Sequence, residues 1–83
     1  MEEDLERIRE AVRRAEELAG SEGGSFEGWL WMLTMPFAFL HRGDKIELHY
    51  PVAGFEEVVI YEVDRRTHEV RKRVEVVEGA QGG

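Results

Sequence analysis

The chain contains no cysteine. Neither disulfides nor thiolate metal sites can therefore reinforce its fold. The absence also fits a reducing compartment, so we expect a cytoplasmic location. The 83 residues are expected to form a single domain, 1–83. A chain of this length buries only about 60–65% of its unfolded surface, which is enough for one core.

Positive charge is also scarce, with 11 Lys and Arg against 18 Asp and Glu and a net charge of −7. Because each contact to a nucleic-acid phosphate requires a cation, we expect no nucleic-acid partner, and by the same argument no anionic membrane. The N-terminus is charged from Glu2 onward, so no signal peptide is expected. The longest apolar run has about 12 residues, well short of the roughly 20 that a membrane-spanning helix needs.

Residues 2–19 are predicted to form an amphipathic helix. Its apolar residues recur at spacings of three and four and share one stripe: Leu5, Ile8, Val12, Ala15 and Leu18. Acidic residues crowd the start and Arg13 and Arg14 come later, as the helix dipole prefers. Gly20 is a typical stop, and segment 20–28, rich in glycine and serine, is predicted to be a flexible linker.

The run Trp29–Leu40 is apolar at every position except Thr34. A segment that is apolar on both faces must be covered on both faces, or it makes an association surface. We interpret the run as the start of a sheet that spans 29–78. The predicted strands are 29–42, 45–52, 55–64 and 69–78, followed by a frayed tail at 79–83. The predicted fold class is therefore α+β, with one N-terminal helix packed on a four-stranded antiparallel meander.

Three turns set the predicted register of this sheet. Gly43-Asp44 is a two-residue hairpin loop and Ala53-Gly54 a weaker turn. Segment 64–69 resembles a loop in which Asp64 caps a type I turn, and His68 then takes a left-handed position. The resulting pairs share one apolar face, on which the helix would lie: Phe39 with Leu48, Leu48 with Val59, and Val59 with Val74. On the other face, Glu62 opposes Arg71.

A second helix, 26–41, capped by Ser25, competes with the first strand. Pro36 opposes it because proline in a helix interior removes an amide and clashes with the preceding turn, and Gly28 opposes it more weakly. Side-chain parity favours the strand. The large odd-numbered side chains would all face the helix in an extended chain: Trp29, Trp31, Leu33, Met35, Phe37 and Phe39.

Few residues suggest chemistry, and we predict no catalytic residue, no metal site and no cofactor. His41 and His49 face opposite sides of the predicted sheet and His68 lies in a distant turn, so the three do not converge on a zinc ion. Glu57 is predicted to lie opposite Tyr50 on the core face, where burial could raise the pKa of its carboxyl group and suit it to acid–base chemistry. A solvated position at the rim of the sheet is favoured.

Two further sequence features have plain structural interpretations. Arg42-Gly43-Asp44 resembles the adhesive tripeptide that integrins recognise. Gly-Asp is also what a tight hairpin requires by itself, so the turn interpretation is favoured and no integrin partner is expected. Lys72, beside Tyr61 on the core face, is expected to pack its stem and to extend its ammonium group to solvent.

Two sets of residues are candidates for binding. A pocket between helix and sheet would be lined by Trp29, Trp31, Met35, Phe37, Tyr50 and Tyr61. An interface would use the outward side chains Leu30, Met32, Leu40, Val58 and Ile60. We expect a non-enzymatic scaffold or interaction module that forms a homodimer, or binds another protein, through the apolar first strand. The alternative is a protein that binds a small apolar ligand in the pocket.

The order of one helix followed by an antiparallel meander resembles the cystatin-like arrangement, in which a sheet wraps around one long helix. The resemblance is one of topology. The inhibitory Gln-x-Val-x-Gly loop of cystatins is absent, so it does not imply protease inhibition. The helix EEDLERIREAVRRAEELA also resembles computationally designed helices, with Glu early and Arg spaced throughout.

Overall fold

A computed structural model describes residues 2–52, 54 and 56–77. The elements are α1 (Glu2–Ser21), α2 (Phe26–Thr34), β1 (Ala38–Arg42), β2 (Lys45–Val52), β3 (Glu57–Asp64) and β4 (Val70–Val76). The strands form one antiparallel sheet in the order β1-β2-β3-β4, and α1 packs against it. The predicted α+β class, an N-terminal helix on a four-stranded meander, is confirmed. The predicted tail at 79–83 lies outside the described residues.

The core lies between the helices and one face of the sheet. The middle of the stripe predicted on α1 is buried there, with Ile8 and Ala15 completely inaccessible to solvent, and its end residues Leu5 and Leu18 are partly buried. The buried residues of the core are Ile8, Val12, Ala15, Leu30, Ile46, Leu48, Tyr61, Val63 and Val70. Each strand of the central pair contributes alternate residues, as a half-buried antiparallel sheet requires.

The prediction of a strand over 29–42 is wrong for residues 29–34, which belong to α2. Ser25 caps this helix, because its side-chain oxygen accepts a hydrogen bond from the Gly28 amide at 3.0 Å. The helix ends at Thr34, and the next residue, Met35, caps it in a left-handed conformation with φ 46°. Pro36 therefore follows the helix instead of interrupting it, which removes the main objection to a helix here.

The segment between the helices is shorter and better held than the flexible linker predicted at 20–28. The left-handed φ angles of Gly23 (88°) and Gly24 (86°) turn the chain. The indole nitrogen of Trp29 donates a hydrogen bond to the Gly23 carbonyl at 2.7 Å. This bond fixes the turn to α2, so the two helices lie against each other.

The first and third predicted turns are confirmed. Gly43 has φ 62°, and the hairpin pairs Phe39 with Leu48. Asp64 Oδ1 accepts the amide hydrogens of Arg66 and Thr67, and β4 pairs with β3 in the predicted register. His68 takes the expected left-handed position, with φ 66°.

The predicted register between β2 and β3 is wrong by two residues. Leu48 lies opposite Tyr61 and not Val59, and Val52 pairs with Glu57. A four-residue connection therefore replaces the predicted two-residue turn at Ala53-Gly54. A shift of two residues preserves side-chain parity, so the assignment of residues to the two faces survives.

The helices cover only part of the face they pack on. Along β4, Val70 is 6% exposed, whereas Val74 and Val76 on the same face are 50% and 61% exposed. The sheet therefore extends beyond the helical layer at the end where β4 stops.

Candidate functional site

The large apolar side chains that are exposed come mostly from the apolar run. Those in the run are Trp31, Met32, Leu33, Met35, Phe37 and Leu40, and we call this set the apolar surface. Their exposed fractions range from 36% for Leu40 to 76% for Met35. Trp31, Met32, Met35 and Phe37 each leave more than half of their surface exposed, and large apolar side chains exposed along one segment are typical of an interaction site.

The winding of α2 places three of these side chains, Trp31, Met32 and Leu33, outside. Leu30 and Thr34, four residues apart, share the inner side of the helix and are buried. Thr34 satisfies its hydroxyl by donating to the Leu30 carbonyl at 2.6 Å, so the one polar residue of the run lies inside. Trp31 and Met32 consequently lie on the outer side, where no described element covers most of their surface.

The pocket candidates are distributed over three places. Tyr50 and Tyr61 contact each other edge to face, with ring centroids 5.7 Å apart, in or beside the core. Trp29 packs against the core and holds the Gly23 turn. Trp31, Met35 and Phe37 are mostly exposed, so the prediction that they line an enclosed pocket between helix and sheet is wrong. That prediction rested on side-chain parity, which does not apply in a helix.

The interface candidates also divide. Met32 and Leu40 are exposed and belong to the apolar surface. Leu30 is completely buried on the inner side of α2, and Ile60 is 1% exposed, so the assignment of these two as interface residues is wrong. Val58 is half-buried on the sheet face away from the helices. The error for Leu30 has the same cause, because an extended chain would point it outward.

Aromatic contacts join the apolar surface to β1. The rings of Trp31 and Phe39 stack with centroids 5.1 Å apart and an interplanar angle of 11°. Phe39 in turn meets the ring of His41 edge to face at 5.6 Å. The outer side of α2 is therefore continuous with the helix-facing side of β1, whereas Leu40, which pairs with Glu47, lies on the other face of this edge strand.

A buried carboxylate lies on the sheet face away from the helices, and the sequence did not predict it. Glu47 is 3% exposed and accepts hydrogen bonds from Arg42 Nε at 3.2 Å and Arg73 at 3.3 Å, while His49 Nε2 lies 2.9 Å away. Burial raises its pKa, but the hydrogen bonds from His49 and Arg73 and the charges of Arg42 and Arg73 outweigh burial, so the pKa lies below its ordinary value.

The register explains why Glu47 needs these partners. It lies directly opposite Glu62, a like-charge pair that is unfavourable without nearby cations. The predicted register placed Glu47 opposite Ile60, so it did not show this like-charge pair. Glu62 does oppose Arg71, as predicted.

The remaining candidate residues lie apart from one another. His41 and His49 occupy opposite faces of the sheet, as predicted, and the His68 ring stacks on Phe26 with centroids 4.6 Å apart. Glu57 is exposed and lies opposite Val52, so its predicted pairing with Tyr50 is wrong. Lys72 lies opposite Tyr61 as predicted, with Nζ 6.0 Å from the ring centroid.

The hairpin tip Arg42-Gly43-Asp44 has structural contacts of its own. The Arg42 guanidinium contacts Glu47, and the Asp44 carbonyl accepts a hydrogen bond from the Arg65 amide at 2.9 Å. The second contact ties the first hairpin to the turn between β3 and β4.

Across residues 2–52, 54 and 56–77, no group of three His, Asp or Glu side chains is placed to hold a metal ion. Neither α1 nor α2 is long and apolar enough to cross a membrane.

Comparison of the chain with protein-family models, with curated proteins and with solved structures gives no match. The cystatin-like resemblance and a designed origin therefore stay predictions from the sequence.

Proposed function

We propose that this chain is a non-enzymatic protein-interaction module that self-associates through the apolar surface. The observation that carries the proposal is the exposure of Trp31, Met32 and Met35, each more than half exposed on a chain with abundant charged residues. A side chain of this kind is stabilised by removal from water, at about 25 cal/mol per Å² of apolar area. A second copy supplies a surface of the same composition.

The composition of the apolar surface supports this proposal. Trp, Phe and Met are enriched in interfaces, whereas Lys, Glu and Asp are depleted. The segment Trp29–Leu40 contains no charged residue, although the whole chain carries a net charge of −7. Two copies that meet here keep their negative charges away from the contact.

Light scattering of the purified chain at micromolar concentration tests the proposal, with Met32→Lys and Leu40→Glu as disrupting variants. Loss of one buried side chain of this size costs about 1.5–3 kcal/mol, so each variant is expected to raise the dimer dissociation constant at least about tenfold. Thr67→Lys and Thr67→Glu are matched controls, because they introduce the same charges at an exposed turn residue between β3 and β4. A wild-type chain that is monomeric throughout would refute the proposal.

The alternative function, binding of a small apolar ligand, has one supporting observation. An open depression of about 350 Å³ lies between the Gly23 turn and α2, and it is lined by Trp29 and Met32 among others. A panel of apolar ligands tested by tryptophan fluorescence distinguishes the two functions. A ligand in this depression produces saturable quenching and a higher melting temperature, whereas self-association responds to protein concentration alone.

A further inference from the structure

The exposed edge of β1 offers a specific way for two copies to join. β1 is one of the two edge strands of the sheet, so one side of its backbone has no partner strand among the described residues. Such an edge is a template for pairing with another chain unless charge, proline or a bulge protects it. Pro36 lies before β1 and does not protect this edge. All five residues of β1, Ala38–Arg42, have amide hydrogens.

The hairpin geometry determines which backbone groups point outward. In a two-residue hairpin the residues that flank the loop exchange hydrogen bonds, which here are Arg42 and Lys45. Hydrogen-bonded pairs alternate along an antiparallel ladder, so Leu40 bonds to Glu47, and Phe39 and His41 direct their N–H and C=O groups away from β2. The outer edge of β1 therefore presents two donors and two acceptors, arranged symmetrically about Leu40.

This arrangement is self-complementary. If two β1 strands run antiparallel with Leu40 opposite Leu40 of the second copy, Phe39 of each copy lies opposite His41 of the other. Each of these two pairs exchanges two hydrogen bonds, so all four outward groups of both strands are satisfied. Shifting the register by two residues in either direction leaves some of them unpaired.

The side chains agree with the same register. Arg42, the one charged residue of β1 by formal charge, falls opposite Ala38 of the second copy, so no like charges face each other. On the helix side, the ring of Phe39 faces His41 of the other copy, a favourable cross-strand aromatic pair. Because Phe39 stacks on Trp31, this pairing brings the apolar surfaces of the two copies side by side.

The other edge of the sheet is protected. β4 carries Arg71, Lys72 and Arg73 in succession. Charged side chains on an edge strand oppose pairing with a further strand. The contrast between the two edges selects β1 as the edge that pairs.

We infer that two copies of this chain pair through β1 in an antiparallel register centred on Leu40, which joins their sheets into one continuous sheet of eight strands. This inference rests on the proposed self-association and specifies its geometry. The two Leu40 side chains then meet at the twofold axis, with Cα atoms about 4.5 Å apart as in a non-hydrogen-bonded antiparallel pair. That separation lies within the range that a disulfide bond spans, about 4.4–6.8 Å.

Single-cysteine cross-linking tests the register, because the wild-type chain has no cysteine. Leu40→Cys is expected to form a disulfide-linked dimer under mild oxidation. Phe39→Cys or His41→Cys would cross-link fastest if the strands paired in a register that places that residue at the twofold axis. Met32→Cys would cross-link fastest if the dimer joined α2 to α2. Paired strands hold two thiols at an effective concentration in the millimolar range, so the Leu40→Cys dimer is expected to form at least about tenfold faster than the other three.

Amide exchange of the wild-type chain provides a second measurement that needs no substitution. The amides of Phe39 and His41 are expected to exchange more slowly as protein concentration rises, whereas the Leu40 amide, which already bonds to β2, is unchanged. A dimer in which Leu40→Cys links no faster than the controls, or in which these two amides do not respond, overturns the strand pairing and leaves the proposed self-association standing. A monomeric wild type overturns both.

Discussion

The Tyr50 hydroxyl on β2 donates a hydrogen bond of 2.7 Å to the main-chain carbonyl of Thr34. This carbonyl belongs to the last residue of α2, where carbonyl groups have no partner within the helix. The bond therefore ties the end of α2 to the sheet and satisfies a group that the helix leaves unpaired. It also fixes the position of the chain just before Met35 and Phe37, which are exposed residues of the apolar surface.

Replacing Tyr50 with Phe is expected to destabilise the chain by about 1–2 kcal/mol, since the Thr34 carbonyl loses its donor. Urea unfolding measures the difference. Thr34→Val is the matched control, because it removes the Thr34 hydroxyl and leaves the carbonyl that Tyr50 binds. If Tyr50→Phe costs no more than Thr34→Val, the bond does not anchor the helix.

Leu30 and Met32 distinguish a helix from a strand in this part of the chain. An extended chain would place both on the same side, whereas α2 buries Leu30 and exposes Met32. Leu30→Ala is expected to cost about 2–5 kcal/mol, because it leaves a cavity in the core. Met32→Ala is expected to change stability by less than about 0.5 kcal/mol when measured below the concentration at which the chain associates. Similar costs for the two substitutions would contradict α2.

The lowered pKa of Glu47 predicts that the folded chain loses stability in acid. Its pKa is lower in the folded chain than the ordinary value of 4.5, which the unfolded chain is expected to show. Its contribution is therefore complete at pH values above the unfolded pKa and is lost as pH falls through the folded pKa. Glu47→Gln is expected to cost about 1–3 kcal/mol at neutral pH, because hydrogen bonds to a charged group are lost.

Chemical unfolding at a series of pH values measures this effect. The gap in stability between wild type and Glu47→Gln is expected to narrow as pH falls below about 4.5. Asp64, whose pKa is also lowered by the amides of Thr67 and Arg66, remains in both proteins and leaves part of the acid sensitivity in the variant. A gap that stays constant from neutral pH to acid would show that the Glu47 charge does not stabilise the fold.

His68 combines a left-handed backbone with contacts to both helices. Its ring stacks on Phe26 of α2, and Nδ1 lies 3.4 Å from a carboxylate oxygen of Glu16 on α1. His68→Ala keeps the left-handed backbone and loses the ring, at an expected cost of about 1–2 kcal/mol. His68→Gly loses the same ring but adopts positive φ freely, so it is expected to be more stable than His68→Ala by about 1 kcal/mol. Equal stabilities of the two variants, measured by thermal unfolding, would show that the backbone at this position is not strained.

The elements that the sequence predicted well each carry a local signal. α1 has polar and apolar residues at helical spacing, and Gly43-Asp44 and Asp64 set their turns by backbone chemistry alone. α2 has no such signal. Where every side chain is apolar, neither a period of two nor a period of 3.6 stands out, so parity suggested a strand.

Two residues that flank α2 did contain the information. Ser25 provides the helix cap, and Pro36 ends the helix when it is placed just beyond the last turn. The composition of the run predicts an association surface, and Met32 and Leu40, two of the predicted interface residues, are exposed. Which of the other side chains face outward depends on helical winding, and the burial of Glu47 depends on how the neighbouring side chains pack, which strand parity does not report.

Sedimentation equilibrium of the wild-type chain over a range from nanomolar to high micromolar concentration tests the central claim most directly. Burial of the apolar surface by a second copy predicts an average mass that rises from that of one chain to twice that value as concentration increases. A mass that stays at one chain over the whole range would contradict self-association through the apolar surface.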